Sequence, residues 1–342
     1  MGLYDTKTML TAIEQTKPVF TFLRDVFFSE TETLLTEKAE VDIKKGKRKL
    51  APFVSPRVGG KVLTREGFAT FQIKTPKIAP ERIITIDDIN KRTLGENVYS
   101  SKTPAERSRI ILAKDIMELD DSITRREEWM CSKILTEGSI DVTIDDATFK
   151  VDYNFTNKKQ LPQNKKWKEE NYETGVNPYQ DLKEWRKEII KSSGMNPDIC
   201  IISDDALEQF LKSPDVKEKL ELRRLSIGSI EPTYQGQGVT FIGKFPELGL
   251  EMYTYTEYYI DDDDSEKPMI PSGKVLMGSK GMGKRYYGSV TQLEKGQFMT
   301  YEGIRVPKHI TDEKNDIEKI RLTSRPLPAP KDADSWLIAD VL

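Results

Sequence analysis

The 342-residue chain holds one histidine, two cysteines and no uninterrupted apolar run longer than four residues, as at Ile110 to Ala113. Each shortage excludes something. A lone His309 leaves no material for a histidine-rich metal centre or a histidine-based acid–base network. Cys131 and Cys200 are too few for a disulfide framework and suit folding in a reducing cytoplasm. Four apolar residues fall far short of the ~20 that cross a bilayer as a helix, so no membrane partner is expected. The opening MGLYDTKTMLTAIEQTKPVF lacks the apolar core of a secretory signal. Met1-Gly2-x-x-x-Thr6 fits the myristoylation pattern in form, but without a polybasic second anchor it reads as coincidence.

Net charge is scarce as well. Fifty-three basic and 56 acidic side chains leave a formal charge of −3. Charged residues make up 32% of the chain, against roughly 25% in typical soluble domains. Disorder needs low hydrophobicity together with high net charge, so the disordered class fails. A basic nucleic-acid-binding domain fails too. What remains is a folded chain with much charged surface of both signs, 37% hydrophobic, which is either extended or completes its burial against partners.

Residues 1–38 carry Phe20, Phe22, Leu23, Val26, Phe27 and Phe28 without turn punctuation, predicting a short helix and an arm that docks on something. From Glu40 the style changes. The basic cluster Lys44, Lys45, Lys47, Arg48, Lys49 leads into FVSPRVGGKVLTREGFATFQIKTPKIAP, punctuated by Gly59-Gly60 and Gly67. This reads as a long polar β-hairpin, too poor in apolar surface to stand alone. Thr103-Pro104-Ala105-Glu106 combines a threonine N-cap, proline at the first helical position and a capping-box glutamate. Leu112, Ile116, Leu119, Ile123, Met130 and Ile134 then form one helical stripe, and Gly138 is a natural stop. The helix over 103–137 would be about 52 Å long. Its other faces carry Glu118, Asp120, Asp121, Arg125, Arg126, Glu127 and Glu128, which predicts a helix lying across a surface.

Residues 139–156 alternate as a hairpin, and 157–175 are polar and loop-like. Asn177-Pro178 caps a helix ending at Gly194, Ile199 to Ile202 is a short buried strand, and two helices follow, capped by Ser203 and Ser213-Pro214. The rest is β-rich and ends in WLIADVL. The class is α+β, without a βαβ repeat.

No candidate for chemistry is strong. Gly278 to Lys284 matches seven positions of a P-loop, but Arg285 stands where a Ser or Thr must reach Mg²⁺, and RYYGSV follows instead of a helix. A flexible β-turn is the better reading; a nucleotide-binding ATPase is the remote one. As an EF-hand, Asp261 to Asp264 would put Glu266 where glycine is required and Ser272 where the bidentate glutamate belongs. An acidic hairpin tip is simpler. The basic run lacks interleaved aromatics and reads as a salt-bridging loop. Tyr253, Tyr255, Tyr258 and Tyr259 read as a sheet face. No cofactor, metal or catalytic residue is expected, and the protein reads as no enzyme.

The ordered landmarks resemble the phage major capsid protein E family over nearly the whole chain. The opening Met-x-x-Tyr-x-Thr, Phe27-Phe28-x-Glu30 and Thr36-Glu37-Lys38 look like its N-terminal arm. Val54-Ser55-Pro56 with Gly60 looks like its extended loop, and Arg107 to Ile111 like the start of its spine helix. Val216 to Leu220 with Arg223-Arg224, Leu276 to Gly288, and a Ser324 to Pro330 linker before the last strand follow in order. The Asp261–Asp264 tip and the lysine-rich 157–170 loop have no place in that pattern.

The resemblance implies a Hong Kong 97-type capsid fold. Its parts would be an N-terminal arm (1–38), an E-loop hairpin (39–85), a peripheral domain with the spine helix (86–175), an axial domain (176–299) and a return to the peripheral domain (300–342). It implies pentamers and hexamers in an icosahedral shell around double-stranded DNA, which is close by without specific binding. Implied partners are further copies, a scaffolding protein, a portal and a small decoration protein, with assembly in the host bacterial cytoplasm and residence in the virion. An encapsulin-like compartment shell is the alternative. Expected inter-subunit contacts are Lys44, Lys45, Lys47, Arg48, Lys49, Phe27 and Phe28. The expected axial tip comprises Asp261, Asp262, Asp263, Asp264, Gly281 and Gly283.

Overall fold

A computed structural model describes residues 20–44, 68–90, 103–144, 147–221, 229–236, 238–261, 263–294, 296–312, 314 and 316–342. After a one-turn arm helix (Leu23–Phe27), strand β1 (Glu30–Thr33) leads to β2 (Lys38–Lys44) and β3 (Phe68–Lys74). These two pair antiparallel from Lys38 with Lys74 to Lys44 with Phe68, the base of the expected long hairpin. Next come β4 (Glu81–Thr85) and a short helix (Ile86–Asn90).

The spine helix runs from Pro104 to Glu137, 34 residues. Its capping box forms as expected: Thr103 accepts from the Glu106 N–H and the Glu106 carboxylate accepts from Thr103 N–H. It stops at Gly138, whose positive φ of 70° needs no β-carbon; one added there would overlap Phe155. Strands β5 (Ser139–Ile144) and β6 (Ala147–Asp152) make the expected hairpin, and β7 is Lys158–Gln160.

The helix Pro178–Ser192 is capped by the Asn177 side chain, which accepts from Gln180 N–H. Strand β8 (Ile199–Ile202) and helices Asp204–Lys212 and Pro214–Glu221 follow. Ser203 precedes the first of these without a side-chain cap, contrary to expectation. The β-rich half holds β9 (Ser229–Gly236), β10 (Val239–Phe245), β11 (Leu250–Tyr255), β12 (Tyr258–Ile260) and β13 (Glu266–Pro268). It continues with β14 (Lys274–Gly278), β15 (Gly283–Tyr287), β16 (Val290–Glu294) and β17 (Gln297–Tyr301), then β18 (Val306–Asp312), β19 (Ile317–Thr323), β20 (Pro326–Pro330) and β21 (Leu337–Asp340).

The largest sheet has the order β7-β21-β14-β8-β11-β10-β9. Its central strand β8 is apolar and buried at every position because both faces are covered. Cys200, Ile202, Val275, Met277, Leu337 and Ala339 face the three helices, whereas Ile199, Ile201, Leu276 and Ile338 face the spine and arm. Period-two alternation thus feeds two cores from one sheet. The closing stretch 300–342 divides: β18 and β19 join β4 beside the spine, and β21 enters the large sheet between β7 and β14.

The Ser324 to Pro330 stretch, expected as a linker, is the strand β20. Its prolines at 326, 328 and 330 suit an edge strand, while Leu327 and Ala329 turn into the core. The polar stretch 157–175 is also more structured than expected, since Trp167 is fully buried and donates its indole N–H to Asp181.

Candidate assembly surfaces and the arm–spine clamp

The spine carries acids where a surface helix would be solvated, and here the expectation needs correction. Asp120, Glu127 and Glu128 are buried, Glu127 completely. The reason is that arginines from distant segments meet them. Arg305 bonds Asp120 through Nε at 2.6 Å and Glu127 through Nη1 at 2.6 Å. The same guanidinium donates to Thr124 and Ser324 hydroxyls at 3.2 and 3.1 Å. Arg24 from the arm takes the other Glu127 oxygen at 3.1 Å. Burial alone would lower both guanidinium pKa values, but Glu127 together with Asp25 on Arg24, and with Asp120 on Arg305, outweighs it and both are raised.

Glu128 performs a different task. Its carboxylate accepts the Phe22, Leu23 and Arg24 N–H groups at 3.0, 2.8 and 2.8 Å, and the Tyr255 hydroxyl at 2.9 Å. Those three amides open the arm helix, where no intrahelical acceptor exists. The spine therefore caps the arm from outside and ties it to β11. Burial raises the Glu128 pKa despite these bonds, and it raises that of Tyr255 as well. Behind the clamp, Arg325 reaches Glu37 at 2.6 Å and the Ser289 carbonyl at 3.3 Å.

The arm thus docks on its own chain. Phe27 and Phe28, expected to contact a neighbour, are fully buried in the core. Gly278 and Gly283 make room for them: a β-carbon at Gly283 would overlap the Phe28 ring. The Gly281 N–H donates to the Val26 carbonyl at 2.8 Å. Gly281 and Gly283 therefore lie beneath the arm helix and not at a free axial tip; close approach explains Gly283, and a positive φ of 68° explains Gly281. Gly278 to Lys284 joins β14 directly to β15, so no helix follows the P-loop-like stretch. Lys284 pairs with Glu32.

Among the acidic tip residues, Asp261 and Asp263 both engage Lys267, at 2.5 and 3.2 Å. Asp264 turns the hairpin with φ 59°, and Asp262 lies outside the described residues. Asp261 also lines a cavity of about 380 Å³ with Arg126 and Trp129 of the spine and Ile78. This hairpin sits against the C-terminal half of the spine, with Tyr259 edge-on to Trp129. Lys44 ends β2, backbone-paired to Phe68; Lys45, Lys47, Arg48 and Lys49 lie outside the described residues. Among the described residues no group of three or more His, Cys, Asp or Glu could hold a metal.

Four pairs of strands form two-stranded ribbons, β2–β3 and β5–β6 packed on the main core, and β12–β13 and β16–β17. Exposed apolar side chains gather on them, with Ile260 and Tyr258 on one and Leu293, Phe298 and Met299 on another. Sequence reasoning passed over Phe298, although QFMTY following a short strand and Lys-Gly turn was a visible signal.

Comparison with known proteins accounts for this architecture. The family model described as phage major capsid protein E matches residues 5–341. The chain is 25% identical to the major capsid protein of Enterobacteria phage P21, across the full length of both. It is 23% identical to that of Escherichia phage lambda, with 98% of each chain covered. A crystal structure described as that of a capsid protein from a prophage of Escherichia coli CFT073 superposes with a TM-score of 0.72 at 17% identity, covering 98% of this chain and 99% of the other. A fold of this kind, with its arm, hairpin, spine and axial sheet, is the Hong Kong 97-type capsid fold. The chain belongs to the phage major capsid protein E family.

Proposed function

We propose that this chain is the major head protein of a tailed phage or prophage, self-assembling as pentamers and hexamers into the icosahedral shell around its DNA. The observation that carries the reading is the β2–β3 ribbon, seven residue pairs long, leading into the basic run from Lys44 to Lys49. A two-stranded ribbon is marginal by itself. Laid over a neighbour, its lysines would meet acidic groups there. Individual exposed pairs contribute about 0–1 kcal/mol, so single contacts stay reversible and assembly errors can be undone. Repeated over a shell, they hold the finished particle. The near-cancelling charge fits, because a strongly charged tile would repel its copies.

In this reading the protein performs no catalysis and resides in the virion after assembly in the bacterial cytoplasm. A scaffolding protein, a portal and a small decoration protein are its partners, and DNA lies near it without specific binding. Negative-stain microscopy of the purified chain tests it. Shells or capsomers are expected; monomers alone, across salt and concentration, would sink it. Replacing Lys44, Lys45 and Lys47 by glutamate should leave a folded subunit with the circular dichroism of the parent but poor shell yield.

A further inference from the structure

The β16–β17 ribbon presents an apolar pair that nothing among the described residues covers. Leu293 and Phe298 are direct cross-strand partners, so their side chains share one face. Phe298 is 80% exposed, and Leu293, Met299 and the following Ile304 are exposed as well. The ribbon does not dangle. On its other face Gln292 is buried, donating to the Pro307 carbonyl at 3.3 Å, which fixes the ribbon at the start of β18.

A second apolar feature lies at the far end of β18. A mainly aliphatic pocket of about 270 Å³ gathers Ile84, Ile86, Ile89 and Ile317, with Asp312, Asp316 and Glu318 also in its lining. Ile86, and Ile83 beside it, are more than half exposed. Four residues of strand separate Pro307 from Thr311, about 13 Å. Ribbon and pocket therefore sit apart in one chain, and the ring fills no pocket of its own.

We infer that Phe298, with Leu293 beside it, seats in the isoleucine pocket of a neighbouring copy; this rests on the head-protein reading above. Area argues for a second copy within a lattice. Phe298 and Leu293, which share the face, expose on the order of 250 Å², about a third of the ~800 Å² per partner that a stable pairwise interface buries. Such a patch cannot hold a dimer. Repeated around a closed assembly, where each copy offers one ring and accepts one, it can contribute many times over. A foreign protein seated on Phe298 would leave the pocket open, whereas a second copy covers both. Displaced knob and pocket on one chain also make a head-to-tail contact, the kind that closes rings.

The test compares the full chain with its F298S variant, and adds the F298C/I86C double variant oxidised after assembly. F298S should unfold at the parent's temperature, since that side chain is mostly exposed, yet give about tenfold fewer shells by sedimentation and microscopy. The double variant should give covalent multimers on a non-reducing gel, absent from either single variant. Normal shells from F298S would overturn the contact. Shells of the double variant without covalent multimers would overturn the choice of pocket. Failure of the parent to assemble would instead overturn the head-protein reading, and this contact with it.

Discussion

The two halves of the spine helix solve the same packing problem in different ways. The N-terminal half lays Leu112, Ile116, Leu119 and Ile123 against Ile84, Ile320 and Leu322, a small aliphatic cluster beneath one three-stranded sheet. Apart from Asp115 and Asp120, which are buried, its charges stay outside, where Arg82 and Lys114 pair with Glu118 in partly exposed bridges. The C-terminal half enters the largest core, with Met130, Cys131, Ile134 and Leu135 packed among arm, sheet and hairpin. There Glu127 and Glu128 are inside, and each is matched. The difference teaches where the tile is rigid. Segments far apart in sequence are fastened by buried ions at one end of the spine, while the other end rests on a thin apolar seam.

The largest effect should come from breaking the buried network. Glu127→Ala leaves Arg305 without one of its two carboxylate partners and Arg24 with only the partly exposed Asp25. Removing one member of a buried pair costs about 3–5 kcal/mol, because the remaining charge stays desolvated. Denaturant unfolding should show that loss. A loss below about 1 kcal/mol, the range of an exposed pair, would mean the clamp is solvated and the contrast between the halves is false.

Gly283→Ala should rank second. Its methyl group would overlap the Phe28 ring, and overpacking of this kind costs about 1–3 kcal/mol. The arm is the element expected to yield. Hydrogen exchange should show faster exchange at Phe22, Leu23 and Arg24, whose amides Glu128 holds, with the N-terminal half of the spine unchanged.

How much of this was legible in the sequence follows from where each signal resides. The spine helix was readable because its cap, stripe and stop are all local: Thr103 with Glu106, the leucines and isoleucines, and Gly138. The β5–β6 hairpin and the buried Ile199–Ile202 strand were readable by alternation and continuity. The clamp was not. Glu127 and Glu128 look like a solvated face because their partners lie about a hundred residues upstream and nearly two hundred downstream, and no pattern within one helix announces Arg24 or Arg305. Phe27 and Phe28 were legible as anchors, but not whether their socket lay in the same chain. Gly283 read as flexible because glycine has two uses, freedom and close approach, and only the Phe28 ring tells them apart.

Acid should separate the carboxylates of the clamp region, with a smaller effect. The hydrogen bond from Arg325 holds Glu37 below the usual carboxylate value. Its stabilisation is complete above the unfolded value of 4.5 and is lost as pH falls through the lower folded value. Glu128 is raised by burial, so its sign reverses: between the unfolded value and the raised folded one, stability falls as pH rises. E37Q should therefore remove a rise of stability with pH below the unfolded value of 4.5, and E128Q a fall above it. Parallel changes would contradict the assignment of one as bonded and the other as desolvated.

The smallest effect belongs to the outer half of the spine. Arg82 meets Glu118 at 2.6 Å, but both side chains are more than a third exposed. Such pairs contribute about 0–1 kcal/mol. A double-mutant cycle of R82A and E118A should give a coupling within that range and fading with added salt, because water and ions already screen the pair. Arg82 also moderates the raised pKa of Asp115, whose burial and Glu118 neighbour both disfavour its charge. R82A should therefore raise Asp115 further, visible by carboxyl chemical shifts, even where stability barely moves. A coupling as large as the loss from E127A would show that the outer half is fastened like the inner one. The aliphatic seam would then no longer be the weaker joint of the tile.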